Sequence, residues 1–97
     1  MLMSHAFEDG TLHLRLLREL DVTSRAAAAL EIEAIVSAYR PARVFLEFPS
    51  ACPSPASFSA LARARRMCAS LGIPLTASGP AAAPLQAPGS APPAVSA

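Results

Sequence analysis

Between Pro49 and Ser57 the chain crowds three prolines and three serines around one cysteine, Cys52, and its reactive side chains are densest there. Ser54-Pro55 has the form of a helix start: serine at the cap, then proline at the first helical position, where its missing N–H costs nothing. Ser57 then falls in the first turn, beside unpaired backbone amides and the positive end of the helix dipole. A phosphate there would be stabilised by those amides, which makes Ser57 a candidate phosphorylation site. The plainer alternative is that Ser54 is only a cap and Ser57 a filler.

The remaining reactive groups are few. Two cysteines, Cys52 and Cys68, and two histidines, His5 and His13, lack the close ligand pairs of a zinc site, so no metal is expected. Cys52 follows an apolar run, where a nucleophilic thiol could act. Such a thiol needs a nearby base or a helix N-terminus to lower its pKa. No histidine is close in sequence and the helix start lies beyond it, so a small thiol enzyme using Cys52 stands only as a third reading. Four glycines in the whole chain form no phosphate-cradling loop, and carboxylates paired for acid–base work are absent. Neither an enzyme nor a cofactor is expected.

The elements that must position these groups follow from periodicity. "TLHLRLL" alternates, with Leu12, Leu14 and Leu16 on one face, as in a half-buried strand. Asp9-Gly10 before it is a hairpin turn, so residues 2–8 form a preceding edge strand. In the next segment Thr23 or Ser24 can cap a helix whose Ile32, Ile35, Val36 and Tyr39 follow helical spacing, with Glu33, Ser37 and Arg40 solvated. Pro41 ends it. "RVFLEF" is short and apolar, as in a strand covered on both faces. A second helix after Ser54 carries an apolar stripe of Ala60, Leu61, Ala64, Met67, Cys68 and Leu71. Ser59, Arg63, Arg66 and Ser70 lie opposite, Gly72 closes the helix, and "IPLTA" is a last strand. The order β-β-α-β-α-β predicts an α/β fold: a small mixed sheet of about four strands with two helices packed on it.

Ninety-seven residues make one domain near the lower limit for a self-sufficient core. Residues 1–79 are the expected folded unit. Residues 80–97 hold half of the ten prolines and little that can be buried, and read as a disordered tail. A net charge of +1 gives no general attraction to nucleic acid or to an anionic membrane. No run approaches the roughly 18 apolar residues of a membrane span. The N-terminus is too acidic for a signal peptide, and the expected location is the cytoplasm.

The run "RELDVTSRAAAALEIEAIVSAYRPARVFLEF", a serine-containing turn and "LARARRMCASLGIPLTASG" together resemble the STAS domain of bacterial anti-sigma factor antagonists. The likeness covers about Phe7 to Pro80. The family's Gly-Glu-Leu-Asp motif stands here as Arg18-Glu19-Leu20-Asp21, and its acidic-aliphatic strand end as Glu47-Phe48. Its Asp-Ser-Ser-Gly, whose second serine is phosphorylated by a partner kinase, falls on Pro55-Ala56-Ser57-Phe58, so only the serine matches. The family's C-terminal helix is replaced by the Pro/Ala segment. The resemblance implies a regulatory protein-interaction domain that binds an anti-sigma factor or serine kinase, in transcription regulation. The binding surface would comprise Asp21, Thr23, Ser24, Ser54, Phe58, Ser59 and Arg63, with Ser57 as a phosphoswitch. The proline and phenylalanine around Ser57 favour an alternative: a scaffold or vestigial paralogue with a degenerate phosphosite.

Overall fold

A computed structural model of the protein describes residues 2–80 and Leu85. Its elements run β1 (Met3–Glu8), β2 (Thr11–Leu16), α1 (Arg25–Tyr39), β3 (Arg43–Glu47), α2 (Pro55–Ser70) and β4 (Leu75–Ser78). The sheet order is β1-β2-β3-β4, with β1 antiparallel to β2 and the other pairs parallel. This is the predicted small mixed α/β fold.

Local chemistry sets the element ends. Asp9 and Gly10 both take positive φ (52° and 76°), the combination a two-residue hairpin with matched twist requires. The Gly10 carbonyl then accepts the Ala42 N–H at 2.7 Å, tying the hairpin to the start of β3. Arg40 ends α1 in the left-handed region, its N–H donating to Val36 O, and Pro41 bars continuation. At the end of α2, Gly72 (φ 72°) donates to Ala69 O and Ile73 to Cys68 O, the two bonds of a Schellman motif.

Both helices lie on one face of the sheet. Leu12, Leu14 and Leu16 of β2, Val44 and Leu46 of β3, and Phe48 form a buried layer with Ala28, Ile32 and Val36 of α1. Ala56, Ala60, Leu61, Ala64 and Cys68 of α2 complete it. Five of the buried residues, Ala28, Ala29, Ala56, Ala60 and Ala64, are alanines, so methyl groups line much of the buried side of both helices, which also pack closely on each other.

Three expectations are corrected. The strand after Pro41 is covered on one side only: Val44 and Leu46 are buried, while Arg43, Phe45 and Glu47 lie on the other face, beside Thr11, His13 and Arg15 of β2. There His13 stacks on Phe45 at 5.5 Å and Arg15 pairs with Glu47 at 3.1 Å. Leu71 is 56% exposed rather than part of the α2 stripe, because the chain leaves the helix at Gly72. Tyr39 is not core either; it lies over the edge strand, with ring centroids 5.5 Å from His5 and 5.1 Å from Phe7. Of the expected tail, Pro80 and Leu85 are described, and Leu85 is partly buried against the core. The rest of that expectation lies outside the described residues.

Phe48→Ala is expected to cost about 3–5 kcal/mol, the usual cost of emptying a buried aromatic site, whereas Phe45→Ala costs far less. Urea denaturation of both variants checks this. Equal losses would mean that the outer face is covered too.

Candidate functional site

Loops leaving the carboxyl ends of adjacent parallel strands share one end of the sheet. Here the loop from β2 to α1 carries Glu19, Leu20 and Asp21, and the loop from β3 to α2 carries Ser54. Ser54 caps α2 as expected: its backbone is extended (φ −64°, ψ 160°) and its Oγ accepts the Ser57 N–H at 3.2 Å, with Pro55 following. The same Oγ donates to Leu20 O at 2.7 Å, across to the other loop.

Ser57 is the centre of the junction, and it is not outward-facing. Its relative exposure is 0%, so the candidate phosphorylation site on the first turn is not open to a kinase in this fold. Ser57 Oγ accepts the Leu20 N–H at 3.2 Å and donates to Glu19 Oε1 at 3.1 Å. Glu19 Oε1 also accepts the Ser54 N–H at 2.9 Å. The Ser57 proton goes to Glu19 and the Ser54 proton to Leu20, so the 3.0 Å separation of the two hydroxyls offers only an alternative rotamer. A carboxylate therefore already occupies the anion seat at the start of α2 that a phosphate would need.

Asp21 organises the entry to α1. Its Oδ1 accepts from Thr23 Oγ1 (2.7 Å), Ser24 N (2.9 Å), Thr23 N (3.0 Å) and Ser24 Oγ (3.0 Å). In return Ser24 Oγ accepts the Asp21 N–H at 2.9 Å, and Asp21 O accepts the Arg25 N–H at 3.0 Å. The hydroxyl of Thr23, then the amide and hydroxyl of Ser24, hold the Asp21 carboxyl at about 2, below its ordinary 3.8. The capping group is thus Asp21. Neither Thr23 nor Ser24 caps with its side chain: the Thr23 hydroxyl donates to that carboxylate, and Ser24 Oγ accepts the Asp21 N–H instead.

The other predicted residues are less closely joined. Phe58 is half-buried with its ring 6.4 Å from that of Phe48, a packing contact more than an anchor. Ser59 and Arg63 are exposed on the outer side of α2, one turn apart. Cys52 is exposed, its N–H donating to Ser50 Oγ, whereas Cys68 is buried and burial raises its thiol pKa. Among the described residues no group of three His, Cys, Asp or Glu could hold a metal ion, and no helix is long and apolar enough to cross a membrane.

Sequence reasoning passed over three residues of this end of the molecule. Glu19 was noted only as part of a motif, yet it holds both serines. Leu17 and Val22, on the same loop, are 47% and 73% exposed. Leu17 could have been found: two leucines in succession cannot both face inward from a strand. Compared with family models, curated proteins and solved structures, the chain shows no match.

Ser57→Ala should cost about 1–3 kcal/mol by leaving the Leu20 N–H without an acceptor. Ser57→Asp should cost about 3–5 kcal/mol, since it adds an uncompensated buried charge beside Glu19. Chemical denaturation distinguishes the two. The Asp21 carboxyl should titrate by NMR with a midpoint near 2. Because its folded pKa is depressed, its stabilising contribution is complete above 3.8 and fades as pH falls toward 2. Asp21→Asn should therefore flatten that part of the acid-unfolding curve.

Proposed function

We propose that the chain is a constitutive protein-interaction domain similar to anti-sigma factor antagonists, binding an anti-sigma factor or serine kinase without a phosphoswitch. One observation carries this reading: the two loops that the resemblance assigns to the partner surface are bonded into a single unit through Glu19, Leu20, Ser54 and Ser57. That unit is preorganised, which lowers the entropic cost of association. The exposed Leu17 and Val22 supply apolar contact area, and Asp21, Thr23, Ser59 and Arg63 supply a polar rim. The burial of Ser57 and the carboxylate in its anion seat favour the scaffold over the switch.

Titration calorimetry against purified anti-sigma serine kinases tests the reading. Leu17→Asp and Val22→Asp should each weaken binding at least about tenfold while leaving circular dichroism unchanged. Incubation with kinase and ATP should leave the intact mass unaltered. A phosphate on Ser57 would restore the switch, and absence of affinity for every such kinase would remove the partner class.

A further inference from the structure

We infer that β1 is a self-pairing edge, through which two copies of the chain join their sheets about a two-fold axis at Ala6. Sheet edges present unpaired N–H and C=O groups and are normally blunted by brevity, proline, lysine or a bulge. The β4 edge is guarded in this way: four residues, with Pro74 just before and Pro80 just after. β1 is six residues in unbroken register with β2, holds no proline, and belongs to a chain without lysine.

The free bonding groups of β1 can be assigned. Leu17 N–H donates to Leu2 O at 2.9 Å, which makes Leu2 and Leu17 a hydrogen-bonded pair. Such pairs alternate along an antiparallel ladder, so Ser4, Ala6 and Glu8 bond to β2, while Met3, His5 and Phe7 direct their N–H and C=O outward. A second β1 set antiparallel with Ala6 opposite Ala6 puts His5 opposite Phe7 in bonded pairs. Ser4 then faces Glu8 in the close, non-bonded pairs.

Side chains match this register on both faces. On the helix face, His5 and Phe7 of each copy extend the aromatic cluster already formed with Tyr39. On the outer face, Glu8 of one copy meets the Ser4 hydroxyl of the other and lies on the side of Arg15 opposite its Glu47 partner. The small Ala6 on the axis leaves the strands free to close. Helices do not obstruct it: α1 packs against β2, and the two β2 strands would lie three strand spacings apart, about 14 Å. The inference is independent of the proposed partner surface, which lies at the loop end of the sheet.

Sedimentation equilibrium of the full chain is the test, with amide exchange read by NMR. We expect a dimer in which the His5 and Phe7 amides are protected. His5→Pro removes an outward N–H without breaking a β1–β2 bond and should give a monomer with unchanged circular dichroism. Two charge variants keep the test decisive if that one misfolds. Ser4→Arg should tighten the dimer and Glu8→Arg loosen it, each by roughly two- to thirty-fold from two cross-strand pairs. A monomer at every concentration overturns the inference. So does a dimer with fast-exchanging His5 and Phe7 amides, or one indifferent to the charge changes.

Discussion

A hydroxyl with no solvent exposure must find its partners inside the protein, and Ser57 does so by holding two crossovers together. Its Oγ takes the Leu20 N–H and gives its proton to Glu19, and the same carboxylate takes the Ser54 N–H. Leu20, 2% exposed, is thereby fixed as a core residue in the middle of its loop, with Ser54 Oγ holding its carbonyl. An alanine at position 57 would fill the space but would leave the loop backbone unpaired. The start of α2, the path of the chain after β2 and the approach to α1 all pass through this one cluster. No buried side-chain nitrogen or oxygen among the described residues lacks a hydrogen-bond partner.

The order and type of the elements were legible because the periodicity changes cleanly from two to three or four residues and each change is punctuated. Asp9-Gly10, Pro41, Ser54-Pro55 and Gly72 all sit where the structure turns. The covering of β3 was not legible. A short run such as "RVFLEF" reads the same whether Phe45 is under a helix or beside His13 on an open face, since composition does not count the layers above it. The tie between Asp21 and α1 was half legible. A cap was expected there from Thr23 or Ser24, but the nearby Asp21 carboxylate competes with both hydroxyls and only geometry chooses among the three.

Ser57 is the more instructive miss. Ser57, Leu61, Ala64 and Cys68 stand at spacings of four, three and four, so the stripe that placed Leu61 and Cys68 inward placed Ser57 with them. The chemistry expected of a serine at a helix start obscured the phase of the helix that carries it. Glu19 was missed for the opposite reason. Its partners are thirty-five and thirty-eight residues away, and no local pattern reveals a contact of that range. The site is therefore a product of topology: parallel neighbours deliver both loops to one end of the sheet, and only then do the serines and the glutamate meet.

The alanine layer beneath the helices has its own bearing on how such a chain can vary. A side chain consisting of one methyl group can lose almost nothing and has no room to gain, because its neighbours have closed to van der Waals distance around it. Larger residues at Ala28, Ala60 or Ala64 would have to push a whole helix away from the elements packed against it. Change in this protein is therefore channelled outward, onto the open side of the sheet and the solvent faces of the helices, while its interior volume stays fixed.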